Sequence, residues 1–188
     1  MNIIVKTAEG CIVVRPDTTW EKDNEDFFPP DFIDALSLSP VVFARICKPG
    51  KSVGKQFATR YYDTVNYGCL LYPEDMAESG NGGFAESLCI DHTSFLPSPG
   101  YEKQILGEDH SFSVRKDDIA VFEGCAVGIS VIENAICEAS ARIYLRTGDL
   151  VAVELAPREV LAFRSRGNFH ISGKFGEREI LDFNVRYE

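Results

Sequence analysis

Several groups of side chains in this sequence have types and spacings suited to chemistry. The stretch KPGKSVGKQF, Lys48 to Phe57, places three lysines and two glycines in ten residues. With Arg45 before it and Arg60 after it, the stretch locally reverses the sign of a chain whose formal charge is −10. Ammonium groups clustered on a loop can neutralise a carboxylate, an enolate or a phosphate; the competing assignment is a solvated loop. CIDHTSFLP sets Asp91 beside His92, a carboxylate and an imidazole able to hold and move a proton. Neighbours on an extended strand point to opposite faces, so the two act together only where the chain turns. In PSPGYEKQILG, Glu102 is a hard oxygen donor and Gln104 follows two positions on. Glu74, Asp75 and Asp182 are further oxygen donors with no diagnostic spacing.

A nucleotide loop is the first assignment to test for the lysines. Such a loop needs two glycines with four residues between them, the second followed by Lys and Ser or Thr, because the wrapped backbone presents its N–H groups to phosphate while the hydroxyl holds magnesium. Here three residues separate Gly50 from Gly54, and Gln56 stands at the hydroxyl position. The following FATRYYDTVNYG is aromatic and turn-forming instead of helical. The anion is therefore expected to be a small organic acid. Ser94 lacks a Gly-x-Ser-x-Gly elbow, so a hydrolase triad is not supported. The six cysteines form no C-x-x-C pair, which removes a zinc site and leaves reduced thiols.

With 45% hydrophobic and 26% charged residues, 188 residues suffice for one packed domain, expected over 1–188. The acidic balance, with a pI near 4.8, repels nucleic acid and anionic lipid surfaces. No apolar run reaches the length of a membrane span, and the N-terminus does not read as a signal peptide. A cytoplasmic protein is expected.

The elements that must position these groups are mostly strands. Asn2–Lys6 and Cys11–Arg15 read as a hairpin around Gly10, and the acidic segment after them, with Pro29 and Pro30, as a loop. Asp31–Leu38 reads as a short helix stopped by Ser39 and Pro40. Val41–Cys47 is a buried strand delivering the basic loop at its end, and Tyr67–Tyr72 is another. PEDMAESGNGG reads as a surface excursion, and Ser87–Ile90 as a strand. Ile132, Ala135, Ile136, Ala139 and Ile143 recur at helical spacing and predict a helix from Ser130 to about Leu145. Ser130 and Glu133 fit a capping box. A turn at Arg146–Asp149 and strands at Leu150–Leu155, Val160–Phe163, Phe169–Ile171 and Ile180–Val185 complete the chain. Aromatic side chains such as Tyr61, Tyr62 and Tyr67 fit a pocket wall or, more simply, core packing.

Two segments carry a resemblance. RICKPGKSVGKQFATRYYDTVNYGCLLYPEDM is similar to a segment of the fumarylacetoacetate hydrolase superfamily, 2-keto acid hydratases and decarboxylases, at Arg45, Ile46, Lys51, Val53, Gln56, Gly68, Leu70, Leu71, Asp75 and Met76. ENAICEASARIYLRTGDLVAVEL resembles the same superfamily's helix, Leu-x-x-Gly-Asp turn and strand, at Ile136, Ser140, Leu145, Gly148, Asp149, Leu150 and Val151. The resemblance implies a mixed α/β, β-rich fold, a rolled sheet against one principal helix, assembled as a homodimer. It also implies Mg2+ or Mn2+ held by a Glu-x-Glu strand and a further acidic residue. Tyr101 and Glu102 match the start of that motif, but Gln104 replaces its second carboxylate, which removes a charge and weakens the site for a hard cation.

Two readings follow. In one, the chain is a fumarylacetoacetate hydrolase-like hydrolase or lyase. A small 2-keto or 1,3-diketo acid is anchored by Arg45, Lys48 and Lys51, its oxygens polarised by a cation at Glu102 and its proton moved by His92 or Asp91. In the other, a degenerate relative keeps the anion pocket without metal or turnover and serves as a small-anion-binding or interaction module.

Overall fold

The N-terminal runs pair as their composition predicts. In the computed structural model, which describes residues 1–107, 110–125 and 127–187, β1 (Asn2–Lys6) and β2 (Ile12–Pro16) form an antiparallel hairpin. The acidic segment that follows holds only a two-residue strand, β3 (Trp20–Glu21). Two twelve-residue strands, β4 (Ala35–Ile46) and β5 (Tyr62–Pro73), then form the longest ladder of the molecule. Short helices α1 (Glu74–Ala77) and α2 (Asn81–Ser87) lead to β6 (Ser94–Phe95) and β7 (Tyr101–Glu102). A second hairpin, β8 (Ser111–Lys116) and β9 (Ile119–Cys125), precedes the principal helix α3 (Ile129–Arg142). The chain ends with β10 (Leu150–Glu154), β11 (Glu159–Phe163), β12 (Phe169–Phe175) and β13 (Arg178–Val185).

The larger sheet runs β2-β1-β10-β4-β5-β6-β3, with β11 beside the first half of β4 and β7 beside the start of β5; the smaller runs β13-β12-β8-β9. This is the expected strand-rich α/β architecture, a curled sheet with one main helix. One face of the larger sheet, with Ile4, Leu36, Leu38, Val42, Ala44, Val65, Tyr67 and Val151, packs on α3 and on Phe112, Ile171, Phe175 and Phe183 of the smaller sheet. The opposite face, with Ile3, Val5, Val41, Phe43, Leu70, Tyr72 and Leu150, is covered by Trp20, Phe84, Leu88 and Leu96. Among the described residues no helix is long and apolar enough to cross a membrane.

Three local expectations are corrected. Asp31–Leu38 is no helix: Ala35 onward belongs to β4, which passes straight through Ser39 and Pro40. Pro40 is tolerated there because the strand beside it changes from β11 to β10 at that point. Its carbonyl accepts the Leu155 N–H of the connecting turn at 2.8 Å, so its ring nitrogen faces a turn and no ladder hydrogen bond is lost. Ser87–Ile90 is no strand but the end of α2 and a turn, and the acidic excursion before it is helical. The capping box is also absent. Helix α3 begins from an extended Gly128 with no side-chain cap, which leaves Ser130 inside the first turn. Its buried face, Ile132, Ala135, Ile136 and Ala139, is the one the spacing predicts.

Candidate functional site

The basic loop is built by packing. A Cβ on Gly50 would lie 2.4 Å from the Tyr61 ring, so the glycine is required by close approach of an aromatic side chain and not by an anion. The N–H groups of Gly50, Ser52 and Val53 are all used internally, by Leu145 O, Ser140 O and Ser140 Oγ. These three are not available to cradle a phosphate. Lys51 Nζ donates to the carbonyl of Arg142 at the C-terminal end of α3, where a cation is favoured by the helix dipole. Lys48 Nζ lies 5.4 Å from the centroid of Tyr61. Both lysines are exposed.

Arg45 is exposed as well, but it lines a cavity. Alternation along β4 puts it on the face of Val41 and Phe43, opposite Thr64 of β5 and Leu150 of β10. There it lines a cavity of about 110 Å³ with Trp20, Phe43, Thr64, Leu150 and the Pro97–Gly100 segment. Trp20 is fixed by its indole N–H, which donates to Leu96 O at 2.8 Å. Among the described residues the Arg45 guanidinium has no hydrogen-bond or ion-pair partner. A lone cation, a hydroxyl and apolar walls suit a small carboxylate with a short carbon chain. Lys48 and Lys51 do not line this cavity, so the three predicted anchors are not assembled in one place.

Asp91 and His92 are brought together. His92 has φ 57°, the turn that lets both face one cavity of about 450 Å³, shared with Glu25, Asp26, Phe27, Phe28, Pro30, Cys89 and Ile90. Glu21 of β3, 6% exposed, holds the ring: its Oε2 lies 3.2 Å from His92 Nδ1 and its Oε1 accepts the Asp23 N–H. A carboxylate offers only acceptors, so Nδ1 is the donor, and Nε2 is the nitrogen open to a ligand. The lining carries the wrong sign for an organic acid. Glu25 and Asp91 have no cationic partner among the described residues, while Asp26 is tied to Asn184 and Arg186, which hold its carboxyl below the usual range. No residue of this cavity lines the Arg45 cavity.

The residues expected to hold a metal do not fit one. Glu102 ends the two-residue strand β7, exposed and without a partner among the described residues, and Gln104 lies in the 3-10 turn Lys103–Gly107. The strand alternation that would aim both at one ion is lost. The other candidates are occupied elsewhere. Asp75 accepts the N–H groups of Asp34 and Ala35, Glu74 lies 3.8 Å from Arg158, and Asp182 pairs with His170 at 2.7 Å. Among the described residues no group of three His, Cys, Asp or Glu side chains converges as a metal site. Tyr67 is core, stacked on Phe175 and tilted against Phe112, with burial raising its phenol's pKa.

A buried polar network lies on the Arg45 face and escaped the sequence reading. Arg15 is fully buried; it donates to Leu71 O, Thr93 O and Ser94 Oγ, and its guanidinium lies 4.3 Å from the Tyr72 ring centroid. Burial pulls its pKa down. Arg158 lies 5.2 Å from the same ring, and Tyr72 Oη donates to Glu154 Oε1 at 2.6 Å. Burial, with Glu154 beside it, pushes the Tyr72 phenol up. The alternation Val13, Arg15 along β2 marked Arg15 as inward-facing; its partners, 56 to 79 residues away, carried no local signal.

No protein-family model matches the chain, and no curated protein matches it in sequence. Solved structures do. A protein assigned to the fumarylacetoacetate hydrolase family from Yersinia pestis CO92 aligns with TM-score 0.82 at 12% identity, over 100% of this chain and 92% of the other. The 2-hydroxyhepta-2,4-diene-1,7-dioate isomerase of Mycobacterium marinum gives 0.83 at 15%, over 100% and 75%. The fumarylpyruvate hydrolase of Pseudomonas aeruginosa, solved with Mn2+ and pyruvate, gives 0.80 at 13%, over 100% and 89%. The chain therefore has the fumarylacetoacetate hydrolase fold, shared with hydrolases and isomerases.

Proposed function

We propose that this chain binds a small carboxylate-bearing organic acid at the Arg45 cavity and does so without a divalent cation. The observation that carries the reading is the unpartnered guanidinium over a cavity of about 110 Å³ with apolar walls. An arginine beside a hydroxyl can take both carboxylate oxygens, and Trp20, Phe43 and Leu150 exclude water from the carbon chain. The lining holds no carboxyl, imidazole or thiol side chain, so its chemistry favours binding over proton transfer. That the fumarylpyruvate hydrolase is solved with pyruvate makes a small acid a natural probe. A homodimer, checked by light scattering for twice the 20.9 kDa chain mass, and a cytoplasmic location, suited to six free thiols, belong to the same reading.

The test is thermal stability with pyruvate or butyrate, in chelator and in millimolar Mg2+ or Mn2+. A ligand specific to the native state raises the midpoint by mass action. The acid alone is expected to raise it, equally in chelator and in metal, and not in Arg45→Leu. A shift that requires the cation would sink the metal-free reading, and none under any condition would remove the acid-binding one.

A second reading rests on Glu21 and His92. An imidazole held by a nearly buried carboxylate at a cavity wall is an oriented acid or base. If the chain is an enzyme, His92 Nε2 moves the proton and Glu21 fixes the ring. The acidic lining directs this cavity to an uncharged or cationic substrate. Glu21→Gln is expected to leave folding intact and to change the tautomer seen by 15N NMR of His92.

A further inference from the structure

The basic loop that the Arg45 cavity does not absorb has company. Lys51 reaches the end of α3 at Arg142, and Gly50 exchanges backbone hydrogen bonds with Leu145 at 3.0 and 2.9 Å. These contacts seat the loop against the Arg142–Thr147 turn. Lys103 Nζ donates to Thr59 O at 2.8 Å, and the Lys55–Arg60 turn packs on α3. Lys48, Lys51, Lys55, Arg60, Lys103, Arg142 and Arg146 therefore share one end of the molecule. Among the described residues none of them makes an ion pair with a carboxylate. Of the acids nearest in the fold, Glu138 is taken by Lys6 at 2.6 Å and buried Asp149 by the Asn2 and Arg146 N–H groups, leaving Asp63, Glu102 and Glu133. On a chain of charge −10 this is a concentrated reversal of sign, and its apolar side chains Phe57 and Tyr144 are 44% and 55% exposed.

We propose that this end is a docking surface for an acidic segment of a partner protein, one that carries Asp or Glu residues with an apolar or aromatic side chain among them. Charge complementarity selects a polyanion, and exposed Phe57 and Tyr144 select one with apolar side chains. Nucleic acid fits less well. Single-strand binding needs several free aromatic faces for bases, and here Arg60 lies 5.4 Å from the Phe57 centroid and Lys48 5.4 Å from that of Tyr61, which leaves Tyr144 as the one uncovered ring of these three. A long phosphate backbone would also run onto the acidic remainder of the surface. The docking surface leaves the carbonyl-capping role of Lys51 intact, since an ammonium has three donors.

The experiment is fluorescence anisotropy of a labelled peptide of repeating Glu-Glu-Phe, with labelled oligothymidine of equal length as the alternative ligand. It is run on the full chain at about 50 and about 300 mM salt. The peptide is expected to bind at low salt, to weaken as salt rises, and to weaken roughly tenfold or more in K48E/R146E. Neither of those side chains holds a structural hydrogen bond, and the variant's melting midpoint is measured alongside to confirm folding. Tighter binding of oligothymidine than of peptide would overturn the proposal in favour of a nucleic-acid surface. Failure of the peptide to bind at low salt, or unchanged affinity in the charge-reversed variant, would overturn the surface itself.

Discussion

Tyr72→Phe removes one atom from the buried network behind Arg45, and its cost can be worked out from the geometry. The phenol donates to Glu154 Oε1 at 2.6 Å, while Glu154 Oε2 accepts the Ala8 N–H at 2.9 Å. Tyr72 is fully buried and Glu154 is 8% exposed. Deleting the hydroxyl leaves a carboxylate oxygen without its donor where water does not reach, and hydrogen bonds to charged groups contribute about 1.5–3 kcal/mol. The ring and its contacts with Arg15 and Arg158 remain, so about 2 kcal/mol is the expected loss. For a chain of this length that is a fall in Tm of about 4–8 °C. Tyr72→Leu also removes the two guanidinium–ring contacts, about 2 kcal/mol for fully buried Arg15 and about 0.5–1 kcal/mol for the less buried Arg158, and should lose about 5 kcal/mol in all. Urea unfolding separates the cases, with the midpoint moving and the slope m unchanged. Equal losses in the two variants, or a loss under about 0.5 kcal/mol in Tyr72→Phe, would refute the network as a stabilising unit.

Two further outcomes follow from burial and hydrogen bonding. With Ellman's reagent, Cys11, Cys47, Cys89 and Cys125 should react quickly, half-buried Cys137 slowly, and Cys69 only on unfolding, because burial raises the pKa of its thiol and blocks access. A fast Cys69 would mean that the ladder of β4 and β5 opens readily. The depressed pKa of Asp26 implies stability present above the unfolded carboxyl value of about 3.9 and lost as pH falls through the folded value. The stability gap between wild type and Asp26→Asn, measured by urea unfolding, should be constant near neutrality and close below about pH 4. A gap that persists there would contradict the hydrogen-bonded carboxylate.

What the sequence discloses depends on the range of the interaction. Helix α3 is legible because Ile132, Ala135, Ile136 and Ala139 repeat within four residues of one another. Pro40 misled because its tolerance in β4 depends on the turn at Leu155, more than a hundred residues later. Gly50 suggests an anion cradle until the Tyr61 ring is seen against it. Arg45 was legible as a cation in an apolar strand, whereas its separation from Lys48 follows from strand alternation carried into a loop that turns toward α3. Asp91 and His92 were legible as neighbours; Glu21, which holds His92 from 71 residues away, was not.

Trp20 is the only tryptophan of the chain and lines the Arg45 cavity, so its fluorescence reports directly on occupancy. Titration with butyrate in chelator should give a saturable change in the wild type and none in Arg45→Leu. A response that survives in Arg45→Leu, or that appears only with Mg2+ or Mn2+, would contradict the account.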